Sequence, residues 1–133
     1  MFSIHRESDY ALLTISYLIN KEQFISISEL VQETQMPRRF LARITAELVR
    51  HKILISREGR MGGYKLAKDL KSINLHDFLS IFEKNLNVVR CYEKGYKCNC
   101  KKSCKHKSFF AEKLSGILTG ELRRWTLNDV FQK

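Results

Sequence analysis

The N-terminal part of the chain alternates apolar and polar residues with the period of an amphipathic helix. Asp9 precedes the first such pattern and stands where a helix cap would stand. A second, shorter pattern follows Ser26, whose spacing to Glu29 is that of a capping box, and it runs to about Thr34. The apolar side of the first pattern consists of Leu12, Ile15, Leu18 and Ile19. Two helices are therefore predicted here.

A turn at residues 35–37 leads into a third helix. Pro37 suits the first helical position, because it has no amide hydrogen to leave unpaired. The apolar positions of this helix are Phe40, Leu41, Ile44 and Leu48, and the positions between them carry Arg38, Arg39, Arg43 and Arg50. A short helix, a tight turn and a longer basic helix form the helix-turn-helix arrangement, which places its second helix in the DNA major groove.

A short strand, a glycine-rich link and a return strand follow directly. Residues 53–55 and 64–66 predict the strands, and three glycines in the link, residues 56–63, permit the positive backbone angles of a hairpin tip. Arg57 and Arg60 would project from that tip. The pattern predicts a winged helix-turn-helix, and an ordinary surface hairpin with solvated charges is the simpler alternative.

The C-terminal half begins with a fourth helix, which Asn74 and Asp77 cap and whose apolar residues are Leu75, Phe78, Leu79 and Phe82. Periodicity is lost between residues 85 and 103. Helical spacing then returns at Phe110, Leu114, Ile117, Leu118, Leu122 and Trp125. This helix is long enough to stand away from the core and pack on another subunit, and Thr126 with Asp129 caps a last short helix.

These elements predict a mainly α fold with a small β-hairpin wing, in three parts. Residues 1–84 form a winged helix-turn-helix DNA-binding domain, residues 85–106 a cysteine-rich loop, and residues 107–133 a dimerisation helix with a C-terminal segment. With 133 residues, of which 44% are apolar, the chain can bury one core.

The net charge of +10 favours a polyanionic partner, because Lys and Arg neutralise phosphates. Binding to a membrane surface is the rival explanation, but the longest apolar stretch, residues 11–19, is broken by Thr14 and Ser16 and is far too short to span a bilayer. A solvated basic face without a partner is the third reading. The candidate contacts to double-stranded DNA are Arg38, Arg39, Arg43, Arg57, Arg60 and Lys65.

All four cysteines of the chain fall within one short stretch, Cys91, Cys98, Cys100 and Cys104, and His106 follows. Several thiolates on one loop select zinc, copper(I) or an iron-sulfur cluster. The spacing C-x6-C-x-C-x3-C-x-H matches neither the paired C-x2-C zinc knuckle nor the bacterial ferredoxin run. Nothing resembling a secretory signal precedes the chain, so we expect a cytoplasmic protein and rank disulfides, and chance enrichment of free thiols, behind a metal.

Five stretches together resemble the IscR and NsrR family of bacterial winged-helix repressors: residues 9–11, 40–41, 56–59, 62–66 and 73–77. The wing motif Ser56-x-x-Gly59-x-x-Gly62-Gly63-Tyr64 is the most specific part of this resemblance, which covers almost the whole chain. It implies homodimers whose long C-terminal helices cross, with an iron-sulfur cluster, 2Fe-2S or 4Fe-4S, near the dimer axis controlling DNA affinity. It also implies Cys91, Cys98 and Cys104 as ligands, with Cys100 as an extra thiol.

The fourth ligand is where the sequence departs from this family. IscR-like members have a histidine three residues after the last cysteine, where this chain has Lys107, and His106 lies one residue early. NsrR-like members use an aspartate before the first helix, supplied by the partner subunit, and Asp9 matches that place. Cys100 would instead give an all-thiolate site. The candidates rank Asp9, Cys100, His106.

The DNA-reading part departs as well. Glu58 stands where relatives often have an arginine before the first wing glycine, and Arg57 and Arg60 flank it. Arg43 replaces part of a glutamate-glutamine pair and suits guanine, whose O6 and N7 accept its two donors, so a different operator is expected. Lys52 replaces the glycine that commonly ends the helix, which predicts a strained or reshaped turn.

The sequence thus predicts a dimeric winged-helix transcription regulator with an iron-sulfur cluster. It contains no nucleophile elbow, phosphate loop or His-Glu-x-x-His motif, so an enzyme is not expected. One alternative keeps the fold and makes the loop a zinc or copper(I) sensor or a thiol switch. Another makes the winged helix a protein-interaction module with a structural zinc loop.

Overall fold

Helices with one apolar side close around a single core in the computed structural model, which describes residues 3–100 and 102–132. The helices are α1 (Arg6–Leu18), α2 (Ile27–Thr34), α3 (Arg38–Arg50), α4 (Leu75–Phe82), α5 (Ser115–Arg124) and α6 (Leu127–Phe131), and the strands are β1 (Leu54–Arg57) and β2 (Gly63–Leu66). Short 3-10 turns cover Leu70–Ser72 and Arg90–Tyr92. The fold is the predicted one, mainly helical with one antiparallel hairpin.

The core confirms the apolar face predicted for α3 and two of the four positions predicted for α1. Ile15 and Leu18 of α1 pack with Leu41 and Leu48 of α3, and all four are buried. Burial of each such side chain contributes roughly 1.5–3 kcal/mol. Phe40, which shares the predicted apolar spacing, is only partly buried. The face of α3 opposite Leu41 and Leu48 is therefore fixed toward solvent.

Three of the predicted helix caps are present. The Ser26 side chain accepts a hydrogen bond from the Glu29 amide at 3.1 Å. The Asn74 side chain accepts from the amides of His76 and Asp77. At α6, Thr126 and Asp129 form a reciprocal capping box, and the backbone and side-chain hydrogen bonds from Thr126 hold the pKa of the Asp129 carboxyl below its ordinary value. Pro37 is the cap of α3, one residue before the helix begins.

The predicted start of α1 is wrong. The helix begins at Arg6, and Asp9 lies in its first turn instead of capping it. The side chain of His5, the N-cap residue, makes no capping hydrogen bond. The His5 amide donates to Glu83 Oε1 at 2.8 Å, so a carboxylate from the end of α4 satisfies this helix end. A tertiary cap of this kind leaves no local signal in the sequence.

The hairpin is longer than predicted on each inner side. Arg57 pairs opposite Gly63 and Leu54 opposite Leu66, so the tip contains only residues 58–62. Lys52 adopts the left-handed backbone conformation with φ of 60°, the conformation that a glycine commonly supplies here, so the turn keeps its shape and is strained and not reshaped. The Ile53 amide donates to the Leu48 carbonyl at 2.9 Å, which closes that turn directly before β1.

The long C-terminal helix has two parts. Ser108–Leu114 is a wide π-helical segment that continues into α5. Ala111 and Ser115 are buried, and α5 packs against α4, so this helix does not stand away from the domain along its length. Its other side remains exposed. Among the residues described, no helix is both long and apolar enough to cross a bilayer.

Candidate DNA-binding surface and cysteine loop

The four arginines of α3 all lie on its exposed side, opposite the buried leucines. Arg38 Nη1 donates to Ser28 Oγ at 3.3 Å, which ties the start of α3 to the first turn of α2. Arg50 Nη2 lies 3.0 Å from Glu47 Oε2 in the same helix. The N-terminal half of α3 thus carries Arg38, Arg39 and Arg43. In helix-turn-helix proteins, this half of the second helix is the part that contacts bases.

Arg43 is held at two points. Its Cζ lies 5.7 Å from the centroid of the Phe40 ring, and its Nη2 lies 3.6 Å from Glu7 Oε1 of α1. Tyr10 packs edge-on against Phe40 at 6.2 Å. The guanidinium is therefore directed by α1 as well as by its own helix. The sequence predicted neither the contact of Glu7 with Arg43 nor that of Tyr10 with Phe40.

The wing lies against the connection between α1 and α2. The Ile25 amide donates to the Tyr64 carbonyl at 2.9 Å, and the Tyr64 amide donates to the Ile25 carbonyl at 2.8 Å. A groove beside this contact is lined by Glu22, Glu29, Arg57, Arg60 and Lys65, among others. The predicted wing cations therefore share one groove with two carboxylates.

Glu29 is the fixed anion of that groove. It lies in the first turn of α2, where the helix dipole stabilises a carboxylate. Tyr17 donates its hydroxyl hydrogen to Glu29 Oε1 at 2.8 Å, and this hydrogen bond to the carboxylate, with partial desolvation, raises the pKa of Tyr17 to about 12. The cations of the wing are thus partly offset on the side that faces α2.

The four cysteines are free thiols on an irregular loop. Cys91 lies in the 3-10 turn and is partly buried, as are Cys98 and Cys104, whereas Cys100 is exposed. The three partly buried cysteines are those that the family resemblance implies as ligands.

Two pairs of candidate ligands lie close together. The Cys100 amide donates to Cys98 Sγ at 3.4 Å, and Cys104 Sγ lies 3.8 Å from His106 Nε2. Asp9 is exposed on α1. Within residues 3–100 and 102–132 of the single chain, no three His, Cys, Asp or Glu side chains converge as a metal site.

The start of the loop is tied to the C-terminal helix. The Val88 amide donates to Ser115 Oγ at 2.9 Å, and Ser115 Oγ donates to the Phe110 carbonyl at 2.9 Å. Ser115 is buried at the junction of the π-helical segment and α5. A rearrangement of the loop would therefore be felt at the start of α5.

Glu83, which ends α4 just before the loop, is a residue that the sequence did not single out. Its side chain is 5% exposed, and it accepts hydrogen bonds from the His5 amide, the His5 ring and the Ser8 hydroxyl. Burial by itself raises the pKa of this carboxyl, but the hydrogen bonds from Ser8 and His5 outweigh it, so the pKa of Glu83 is lowered. Glu83 thus joins the start of the loop to the first turn of α1, which carries Asp9.

Cationic side chains of the loop stack on its tyrosines. Arg90 lies over Tyr96 at 5.4 Å and Lys107 over Tyr92 at 5.5 Å. Arg90 also pairs with Glu93 at 3.3 Å, and Glu93 is the one acidic residue between positions 90 and 107. The loop is therefore strongly cationic.

A basic recognition helix and an antiparallel wing on a helical core define a winged helix-turn-helix protein. The family model for Rrf2, described as an iron-dependent transcriptional regulator, matches residues 4–133. The chain belongs to the Rrf2 family and is a member of a family of transcription regulators. The predicted resemblance to IscR and NsrR is confirmed at the level of the family.

Individual relatives agree with this assignment. A putative HTH-type transcriptional regulator of Aquifex aeolicus is 30% identical over 91 residues, which cover 68% of this chain and 63% of that protein, so the match spans less than two thirds of this relative. The NsrR regulator of Oceanobacillus iheyensis is 25% identical over 98% of this chain and 90% of its own length. CymR (YrzC), the global cysteine regulator of B. subtilis, shares the fold with a TM-score of 0.71 at 18% identity, covering 98% of this chain and 96% of that one.

Proposed function

We propose that this chain is a homodimeric, cytoplasmic repressor-type regulator whose operator affinity is controlled by an iron-sulfur cluster in the cysteine loop. The observation that carries the proposal is that two hydrogen-bonded contacts hold the N-terminal side of that loop. Glu83 joins it to α1, and Ser115 joins it to the long C-terminal helix. A change in the loop is thereby passed to the elements that set the position of α3. No role in catalysis is proposed.

The DNA contacts proposed are those of the basic helix and the wing. Arg38, Arg39 and Arg43 are exposed on α3, and Arg60 is exposed at the wing tip. A dimer would present two such sets to two half-sites about 34 Å apart. With roughly 6–10 phosphate contacts, the logarithm of affinity should fall with the logarithm of salt by about 0.9 per contact. An affinity that does not change between low and physiological salt would contradict this surface.

The donor set of the loop fits a thiolate-bound cluster. Three free, partly buried cysteines share one short loop, and thiolates are the ligands that hold iron-sulfur clusters. Cys91, Cys98 and Cys104 would hold the cluster, with a fourth ligand from Asp9 of the partner subunit, Cys100 or His106, in that order. The cluster would supply redox or gas-reactive iron to a loop that otherwise carries only thiols and cations.

Dimerisation would proceed through the exposed side of the C-terminal helix. Phe109 and Ile117 of this helix are 51% and 59% exposed in the single chain, and Trp125, directly after its last residue, is 47% exposed. Large apolar side chains exposed along one helix mark a surface for association. Crossing of two such helices would bring the two cysteine loops near one axis, where their positive charges repel unless thiolates offset them.

The test compares operator binding by cluster-loaded and cluster-free protein at equal dimer concentration and salt. An operator selected from random duplexes with the cluster-loaded protein serves as the probe. A coupling of about 1–3 kcal/mol predicts a difference of roughly 5- to 150-fold in affinity. Iron, sulfide and zinc analysis after purification without oxygen establishes what the loop holds. Equal affinity of the two forms on every selected operator would rule out a sensor.

A second candidate function is a thiol or zinc sensor on the same fold. The approach of His106 Nε2 to Cys104 Sγ at 3.8 Å favours it, because cysteine and histidine side chains are the usual ligands of zinc. Colour separates the two candidates. An iron-sulfur protein is brown or red, whereas a zinc or copper(I) protein is colourless, and a disulfide switch would respond to dithiothreitol alone.

A further inference from the structure

Phe24, in the connection between α1 and α2, contacts the wing. The Cζ atom of Arg57 lies 4.3 Å from the centroid of the Phe24 ring, which is the geometry of a cation–π contact. The same guanidinium donates from Nη2 to the Met61 carbonyl at 2.8 Å, across the hairpin tip. Arg57 therefore links the two sides of the tip to each other and to a segment outside the hairpin.

The backbone beneath this contact leaves no room for a side chain at either Gly62 or Gly63. A Cβ atom on Gly63, which has φ of 140°, would lie 2.2 Å from the Ile25 carbonyl oxygen. A Cβ on Gly62 would lie 2.0 Å from the Arg57 carbonyl oxygen. The base of the wing is thus fixed against Ile25, and the stack of Arg57 on Phe24 extends that attachment toward the tip.

Other cations of the wing differ from Arg57 in this respect. Arg60 is exposed at the tip, and Lys65 on β2 lines the groove with Glu22 and Glu29. The planar face of Arg57 is covered by an aromatic ring and one of its nitrogens is used by a carbonyl. Of the cations on the wing, Arg57 is the one whose position depends on a residue outside the hairpin.

We propose that Arg57 and Phe24 form a wing-positioning pair, in which Arg57 acts on DNA affinity by fixing the tip that presents Arg60, and not by binding phosphate itself. This inference rests on the proposed DNA-binding function. It makes Phe24 a determinant of operator affinity, although Phe24 is uncharged and lies in neither α3 nor the wing.

The first measurement is operator affinity as a function of salt for Phe24→Leu, Arg57→Lys, Arg60→Ala and the double variant Phe24→Leu/Arg57→Lys. Arg57→Lys keeps the charge but loses the planar stack. Both single variants of the pair should bind on the order of 5-fold more weakly, equivalent to about 1 kcal/mol, with an unchanged salt slope. The double variant should bind the operator no more weakly than the weaker-binding of the two single variants, because both substitutions remove the same interaction. Arg60→Ala should reduce the salt slope by about 0.9 per phosphate lost.

The second measurement needs no DNA. Trypsin cleavage of the Arg60–Met61 bond in the folded dimer reports opening of the tip, with the Lys94–Gly95 bond in the cysteine loop as the internal control. Phe24→Leu and Arg57→Lys should each raise the Arg60–Met61 rate on the order of 5-fold, since cleavage follows the open population. Lys21→Gln disrupts a comparable contact, Lys21 over Tyr17 at 4.7 Å, that does not involve the wing, and should leave the rate unchanged.

The two measurements separate failure of this inference from failure of the proposed function. A further variant, Arg57→Ala, removes the charge that Arg57→Lys keeps and is measured for its salt slope. Full affinity in Phe24→Leu and Arg57→Lys, unchanged cleavage, and a reduced salt slope in Arg57→Ala would make Arg57 a direct phosphate contact and overturn the pair. Faster cleavage in a protein that binds no DNA would leave the pair intact and reject the regulator. Since Arg57 is exposed, Arg57→Lys should fold even if Phe24→Leu does not.

Discussion

The Nη2 atom of Arg43 lies 3.6 Å from Oε1 of Glu7, so the side chain proposed to read a base is already paired with α1 in the DNA-free chain. The two side chains are 68% and 35% exposed, and a pair of this kind contributes little to stability. The pair instead affects the direction in which the Arg43 side chain points. Glu7 and the Phe40 ring limit the rotamers of Arg43 without covering its guanidinium, which keeps its donors available to a guanine.

Replacing Arg43 should therefore change base preference and not only affinity. Arg43→Ala is expected to cost roughly 1–3 kcal/mol on the selected operator and to relax discrimination at one base pair. Lys65→Ala is the matched control and should weaken all sequences alike. Competition binding against a set of single-base operator variants measures both. Equal losses for Arg43→Ala on operator and random DNA would mean that Arg43 only contacts the backbone.

Glu83 should be the most stabilising carboxylate of the domain, because it is nearly buried and accepts three hydrogen bonds. Glu83→Gln is expected to lower the free energy of unfolding by about 1–3 kcal/mol. Urea unfolding at neutral pH measures the effect. Glu33→Gln, at an exposed position on α2, is the control and should stay within about 0.5 kcal/mol of wild type.

The pH dependence of that effect has a definite sign. The folded pKa of Glu83 lies below its ordinary value of 4.5, so the unfolded chain binds the proton more tightly. The stabilisation is complete above pH 4.5 and is lost as the pH falls through the lowered pKa. The gap between wild type and Glu83→Gln should accordingly narrow in that acid range. A gap that persists unchanged there would show that packing, and not charge, stabilises this site.

The sequence predicted the elements whose signals are local. Spacing within one helix determines the caps at Ser26, Asn74 and Thr126, the buried face of α3 and two of the four positions predicted for α1, and the structure confirms these. The start of α1 was missed because its cap, Glu83, is 78 positions from His5 in the sequence. The stack of Arg57 on Phe24 was missed for the same reason, since no periodicity relates a wing to a loop.

The cysteine loop shows where local reasoning ends for the site. Clustering of four thiols identified the loop, and family resemblance supplied a ligand set, but neither fixes how the ligands converge. Among the residues that the structure describes, no three candidate ligand side chains converge, although Cys104 and His106 lie close together. A site shared between two subunits depends on their interface, and neither periodicity nor spacing in the sequence reveals which residues meet there. The identity of the fourth ligand therefore remains a prediction.

Single substitutions should identify the ligands. Cys91→Ala, Cys98→Ala and Cys104→Ala are each expected to abolish visible absorption of protein purified without oxygen, since each removes a thiolate from the cluster. Cys100→Ala should keep the absorption and Asp9→Ala should alter it. Bleaching by Cys100→Ala with no effect of Asp9→Ala would favour an all-thiolate site. Circular dichroism should show the same helical content in every variant, because none of these residues lies in the core.

The exposed side of the C-terminal helix should carry the dimer. Ile117 is 59% exposed in the single chain, and Ile117→Glu would place an unpaired carboxylate in the proposed interface. Because leaving a charge buried without a partner costs on the order of 3 kcal/mol or more, the dissociation constant of the dimer should rise at least about 100-fold. Sedimentation velocity over a dilution series measures this. Gln32→Glu adds the same charge at an exposed position of α2 and should leave the dimer intact.

Operator affinity should fall with dimer content, because one subunit reaches only one half-site. A fully dimeric Ile117→Glu would place the interface elsewhere, and with it the shared cluster site that includes Asp9.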